Sequence, residues 1–280
     1  MIERLKNSWE LAKASGQVLM ADKELLLFPV FSGISMILVI ISFFVPLAFA
    51  GFMTDQGGVI GFGAYVIFFI FYFVQYSVII FFNSGLVGAA LMRLEGKNPT
   101  VSDGFRIAFQ NLTSILGYAL IAATVGIILR IVREKAGILG KILSTLGGLA
   151  WSLATYLVIP VLVAQGVGPI DAIKSSTRIL KRTWGEQIAG TIGIGFVFGM
   201  VTLLYSIIVI PVLILLAITN VPLAILLSFV GIMILGYLLL ALISSTLKGI
   251  YSAALYRFAT TGDSGMFDRN LLAGAFQEKA

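Results

Sequence analysis

The sequence contains no cysteine and no histidine. The first absence excludes disulfides, thiolate metal sites and a cysteine nucleophile. The second removes the commonest metal ligand and the commonest general base. Charge is also scarce, because only 11% of the 280 residues are Asp, Glu, Lys or Arg, against roughly 25% in soluble domains. So few charged groups cannot cover a water-facing surface. That excludes a soluble globular domain, a disordered chain, a coiled coil and a soluble nucleic-acid binder. What fills the sequence instead is apolar: 59% of the side chains are hydrophobic and the mean hydropathy is +1.04.

A helix crossing a hydrocarbon core of about 30 Å needs about 20 mostly apolar residues. The charge-free windows are Leu25–Met53, Val59–Met92, Ile107–Leu129, Ile142–Ile170 and Gln187–Leu247. The last is too long for one crossing and is interrupted at Thr219-Asn220-Val221-Pro222, a turn signal with proline placed to begin the next helix. Six spans are therefore expected, near 27–52, 60–84, 111–130, 142–164, 188–217 and 222–247. The first 24 residues are amphipathic and carry no small-residue cleavage site, so the first span is read as retained. No connection is long enough to bury a core of its own. The expected organisation is one transmembrane domain over 1–280.

Lysine and arginine set the orientation. The N-terminal segment, the second and fourth connections and the C-terminal side together hold 15 of them, and the opposite side holds 4, all in the third connection. This bias places both termini in the cytoplasm of a multi-pass cell-membrane protein. It also accounts for the net charge of +6 without nucleic acid.

Each cytoplasmic segment ahead of an odd-numbered span has helical periodicity. The apolar stripes are Ile2, Leu5, Trp9 and Ala12; then Val101, Phe105, Ala108, Leu112 and Ile115; then Ile170, Ile173, Thr177, Leu180 and Trp184. Basic residues oppose the third stripe at Lys174, Arg178, Lys181 and Arg182. Helices of this kind lie in the headgroup plane with the basic face toward anionic lipid. Trp9, Trp184 and these four cations are the candidate headgroup contacts. The same helices equally serve as plain structural anchors.

The order of interfacial helix, span, turn, span suggests a repeat. At an offset of 164 residues, Asp22 corresponds to Glu186, Arg93 to Arg257, and Gly85, Ala89, Ala90 and Leu91 to Gly249, Ala253, Ala254 and Leu255. The middle unit matches less well, with Asp103 on Asp171 and Gly117 on Gly185 at an offset of 68. The expected fold is thus all-α, with six spans as three hairpins, each preceded by a cytoplasmic amphipathic helix. The candidate units are 1–98, 99–168 and 169–280, related by a pseudo-threefold axis.

Ionisable groups within spans are functional candidates by default. Lys248 is the sharpest, because the sixth helix continues past it to about Phe258. It can snorkel to water, pair with an acid or line a substrate path. Gln75 and Asn83 lie eight residues apart on one face of the second span, for an interhelical hydrogen bond or a polar lining. Asp22 and Glu186 open their spans while Arg93 and Arg257 close the paired ones, which suggests structural ion pairs. Arg130, Arg133, Lys135 and Lys141, offset only by Glu134, form a basic cluster in the third connection. That cluster is either a solvated turn or an anion-attracting vestibule.

Gly195 and Gly199, with Gly190 and Gly193, form a small-residue face, and Gly85, Gly88 and Ala89 form another. Such faces let helices approach within one chain or between copies. Pro46, Pro160 and Pro211 should kink their helices. Asn111-Leu112-Thr113 fits a glycosylation sequon at the wrong side of the membrane and is read as accidental. No P-loop, nucleophile elbow or dinucleotide fingerprint is present, and no inward acidic constellation stands out. Neither an enzyme nor a cofactor is expected. The expected partners are the bilayer, anionic headgroups and further copies of the chain, with no nucleic acid.

Several stretches carry a resemblance. These are Ser8–Lys13, Asp22–Pro29, Ala122–Gly126, Pro160–Leu162, Gly168–Ala172 and Trp184–Glu186. In them the sequence resembles a prokaryotic, archaeal-type family of six-span membrane proteins classed as a domain of unknown function. It is also distantly similar to other prokaryotic six-span families that pair interfacial helices with membrane hairpins. The resemblance implies a six-helix membrane fold and supplies no activity or catalytic residues. The functional expectation is an oligomeric channel or transport-type protein. The alternative is a non-transporting protein that organises lipid or scaffolds a partner.

Overall fold

The computed structural model describes residues 2–49, 62–135, 137–184, 194–219, 221–269 and 272, with the backbone alone at 2–8, 47, 49, 62–65 and 182–184. The described residues are helical or irregular. In chain order the helices are α1 (Ile2–Ala21), a 3-10 turn η1 (Lys23–Leu26), α2 (Leu27–Phe49), α3 (Phe62–Leu94), α4 (Val101–Gln110) and α5 (Leu112–Lys135). They continue as α6 (Gly137–Ala154), α7 (Val158–Gln165), α8 (Pro169–Trp184), α9 (Ile194–Ile218) and α10 (Leu223–Thr261). Six helical stretches are long and apolar enough to cross a membrane: Lys23–Pro46, Val66–Leu94, Leu112–Lys135, Gly137–Gln165, Ile194–Ile218 and Leu223–Thr261. The chain is an all-α, multi-pass integral membrane protein.

Helices run beyond the apolar windows wherever good helix formers follow. α3 continues to Leu94 and α10 to Thr261, where Gly262 at φ 72° ends it with a left-handed cap. The third connection shortens most. α5 extends through Arg130–Lys135, supported by an Arg130–Glu134 ion pair at i,i+4, and α6 resumes at Gly137. The basic cluster therefore lies on two helix ends rather than on a loop.

The fourth span is broken where a proline forbids continuity. Pro160 has no amide to reach residue 156, and α6 and α7 are separated by a turn at 155–157. Pro46 and Pro211 lie inside α2 and α9. Pro222 caps α10 rather than occupying its first turn.

The packed core sits at one end of the bundle. Fully buried Val18, Leu25, Phe28, Leu86, Val87, Ile115, Leu157, Leu162, Ile250 and Leu255 bring α1–α3, α5, α7 and α10 together there. Away from this end the helices present apolar side chains outward, with Ile208 of α9 and Ile232 of α10 each 67% exposed. In a bilayer that surface faces acyl chains and needs no further explanation. α3 is central, packing against α2, α4, α5, α7 and α10. α5 packs on α6 and α9 on α10; α3, α7 and α10 touch pairwise. The short amphipathic helices seat on the ends of these three: α4 on α3, α8 on α7, and α1 on α10.

Two of the expected stripes are rotated. In α1 the buried face is Leu11, Ala12, Ser15, Val18 and Leu19, and Trp9 is 57% exposed. In α8 the buried face is Ala172, Ser176 and Leu180, while Ile170 is exposed. Small residues allow α8 to press against the break in the fourth span, which displaces the bulkier isoleucine outward. The α4 stripe follows the pattern, with Ala108 buried and Val101 and Phe105 packed against the core.

The α4 start is the best-capped helix end. Thr100 and Asp103 form a reciprocal capping box, and the Val101 N–H donates to Glu24 Oε2 at 2.9 Å from η1. The Thr100 bonds hold the Asp103 carboxyl below the usual carboxylate range. Glu24 is a tie that the spacing did not reveal, since its partner lies 77 residues away.

Candidate functional site

The second-span helix α3, the sixth-span helix α10 and the half-helix α7 converge on a cavity of about 260 Å³. Asn83 lines it from α3, Tyr156 from the turn before α7, Ile159 from the start of α7, and Ser245, Lys248, Gly249 and Ser252 from α10. Helical spacing explains the α10 set, because 245, 248, 249 and 252 fall on one face. Gly249 leaves room for α3: a Cβ there would lie 2.5 Å from Leu86 and 3.5 Å from Asn83 Oδ1. Gly195 of α9 makes room for the lysine itself, since a Cβ there would lie 3.3 Å from Lys248 Cε and 3.6 Å from its Nζ. A smaller cavity of about 60 Å³ shares Asn83 and Ser245 and reaches Phe28, Pro29 and Ser32 of α2.

The polar inventory is one-sided. Among the described residues no carboxylate lines the cavity, and Lys248 joins no ion pair. Ser252 Oγ is committed to the Gly249 carbonyl at 2.8 Å. The Ser84 and Tyr251 hydroxyls, next to Asn83 and one turn past Lys248, are buried without a partner among the described residues. Buried polar atoms of this kind mark places for water or ligand.

The break that brings Tyr156 to the cavity is held by α8. The Leu157 N–H donates to Ser176 Oγ at 3.1 Å, and Thr177 Oγ1 donates to the Ala154 carbonyl at 3.4 Å. Gln165 at the end of α7 donates to Tyr256 Oη at 3.1 Å, tying α7 to α10. None of these ties was legible as a motif, because serine and threonine on an amphipathic helix carry no distinguishing spacing.

Of the sequence candidates, Lys248 and Asn83 meet at this cavity, whereas Gln75 lies farther along α3 and is not on its lining. The expected ion pairs re-sort. Arg93 donates to the Lys97 carbonyl and to Asn98 Oδ1 at 3.1 Å, so no direct Asp22–Arg93 contact forms. Arg257 pairs with Asp263, in the turn after α10, a partner that the pairing of span ends did not point to. Glu186 lies outside the described residues, as do Gly190, Gly193 and the side chains of Arg182 and Trp184.

Arg130 in the basic cluster is engaged by Glu134, by Tyr72 Oη at 3.1 Å and by the face of Phe68. Arg133, Lys135 and Lys141 are exposed. Lys174, Arg178 and Lys181, with Ile173 and Thr177, line an open groove of about 630 Å³ along α8. Gly195 faces Lys248, but Gly199 has nothing within 4 Å, so the small-residue pair is not closed among the described residues. Gly85 and Gly88 instead admit α4, against Gly104 and Ile107.

Asp22 is 7% exposed, with Oδ2 unpartnered among the described residues. Burial raises its carboxyl above the ordinary carboxylate range, against a smaller lowering by the nearby Arg93 charge. The native state thus favours the protonated form. Protonation of this group contributes stability that is complete below the ordinary carboxylate pKa of about 3.9 and is lost as pH rises through the raised value. Asp22→Asn, which removes the buried charge, is expected to raise the unfolding temperature in mild detergent at pH 7 by about 2 °C. The gain should vanish as pH falls toward about 4. A gain independent of pH would show that charge burial is not the cause.

No curated protein and no solved structure matches the chain. A family described only as a family of unknown function, DUF6159, matches residues 62–267. That segment includes Ala122–Gly126, Pro160–Leu162, Gly168–Ala172 and Trp184–Glu186, while Ser8–Lys13 and Asp22–Pro29 precede it. It holds five of the six apolar spans and every residue lining the Lys248 cavity. With well over half of its length matched, the chain belongs to DUF6159, an uncharacterised family of membrane proteins.

Proposed function

We propose that this is a transport-type membrane protein whose polar path runs through the Lys248 cavity. One observation carries the reading: a lysine with no carboxylate beside it among the described residues lines a cavity beside a broken span. Transporters commonly build their sites from discontinuous helices, where backbone irregularity inside the membrane is tolerated only next to protein or a polar chamber. The cavity sits where α3, α7 and α10 meet, as a path on a pseudo-threefold axis would. Three related units, 1–98, 99–168 and 169–280, fit the cyclic packing of α3 on α4, α7 on α8 and α10 back on α1. The lysine and arginine bias supports placing both termini in the cytoplasm. Gly199, open in the single chain, is available for contact with a second copy. With no histidine or cysteine in the chain and no acid–base pair among the described lining residues, the reading is non-catalytic.

A second reading is favoured by the groove of Lys174, Arg178 and Lys181, which suits anionic headgroups and a lipid-organising or scaffold role. Trp9, exposed on α1, is placed to anchor at the same interface. Reconstitution into liposomes separates the two. The transport reading expects solute or ion flux that drops to background in Lys248→Met and is unchanged in Lys174→Glu/Arg178→Glu. Absence of any flux, with lipid binding lost on charge reversal in α8, would replace it with the scaffold reading.

A further inference from the structure

We infer that the Lys248 cavity is an oxyanion site, taking a phosphate or carboxylate group against the lysine ammonium. This rests on the transport reading for its biological meaning but not for its chemistry. A cation is disfavoured because, among the described lining residues, the charged side chain is positive. Lys248 is exposed at this cavity, so its ammonium is open to a ligand. An anion pairs with that charge, and the lining supplies suitable donors. The Asn83 amide and the Ser245 hydroxyl are on the wall, and neither side chain is committed to a hydrogen bond among the described residues. A volume of about 260 Å³ holds a phosphate or a short carboxylic acid with water and excludes a bulky ligand.

The same oxyanion chemistry has two sources, a small solute or the phosphate of a lipid headgroup. The smaller cavity toward Pro29 and Ser32 of α2 offers an approach from the α2 side. Both sources are tested on the full chain. In nanodiscs of zwitterionic phosphatidylcholine, inorganic phosphate is titrated against sodium chloride of equal ionic strength while the unfolding temperature is followed. For a solute site, phosphate raises that temperature saturably in the wild type and in Lys248→Arg, and not in Lys248→Met. Ser245→Leu, which fills the cavity and keeps the lysine, should lose the shift as well, and it stands in if Lys248→Met fails to fold.

For a lipid site, phosphate has no effect. Native mass spectrometry after exposure to phosphatidylglycerol then retains a bound lipid on the wild type and Lys248→Arg that Lys248→Met and Ser245→Leu release. Equal behaviour of the wild type and both disruptive variants in both arms overturns the inference. Liposome flux without Lys248-dependent anion binding defeats this inference alone. Lys248-dependent binding without flux defeats the transport reading alone.

Discussion

Alanine at Gly104 is expected to lower the unfolding temperature in detergent by about 3–8 °C, and leucine there to prevent folding. Gly104 lies on the buried face of α4, directly under the Phe28 ring and against the α3 backbone. A Cβ at this position would stand 2.8 Å from the Gly85 carbonyl oxygen and collide with Phe28. The reciprocal approach is equally close, since a Cβ on Gly85 would lie 3.2 Å from the Gly104 carbonyl. Two opposing effects set the sign. Alanine in a helix interior gains about 1 kcal/mol over glycine, and overpacking a tight core costs about 1–3 kcal/mol. Here the penalty wins, because a helix backbone cannot move aside as a flexible side chain can. Phe28 cannot move freely either. It is held at 5.6 Å from Phe105, which also contacts Phe31, Phe81 and Phe82. Gly16→Ala in α1, with nothing within 4 Å of its Cβ, is the matched control and should be neutral or slightly stabilising. Equal behaviour of the two variants would refute the close α3–α4 contact.

That contact shows where sequence reasoning succeeds and where it stops. Apolar windows located all six spans because lipid demands a long uncharged run and nothing else in the chain supplies one. Helix ends were misplaced where Arg130, Glu134 and Lys135 prolong α5, since membrane hydropathy ends while helix propensity does not. The glycines of α3 were recognisable as a close-approach face, but their partner was not. Gly104 belongs to a segment that reads only as amphipathic. Rotation of the α1 and α8 stripes has the same origin. Periodicity says that a helix has two faces, but the shape of the receiving surface decides which small residues turn inward. Lys248 and Asn83 were each visible as polar residues within spans. Their meeting was not, because it depends on Gly249 and Gly195 allowing three helices to converge.

Ser176→Ala should destabilise the protein by about 1–3 kcal/mol, the cost of leaving a buried amide without its partner. Both ends of the bond are inaccessible: Ser176 is fully buried and Leu157 nearly so, so water cannot easily replace the lost hydroxyl. The amide belongs to the turn created by Pro160, where the ordinary helical ladder is interrupted and α8 supplies the missing acceptor. Hydrogen exchange at Leu157 is the direct readout and should accelerate in the variant, while amides in the middle of α3 remain protected. Ser228→Ala provides the comparison. Its hydroxyl only returns to the Ala224 carbonyl within an exposed stretch of α10, and its loss should be nearly neutral. Tyr156 and Ile159 flank the same turn and line the cavity, so loosening it should also disturb the Lys248 site without touching the lysine. A Ser176→Ala protein with unchanged exchange at Leu157 would mean that the break is held by the Thr177–Ala154 contact and the packing of α7 instead.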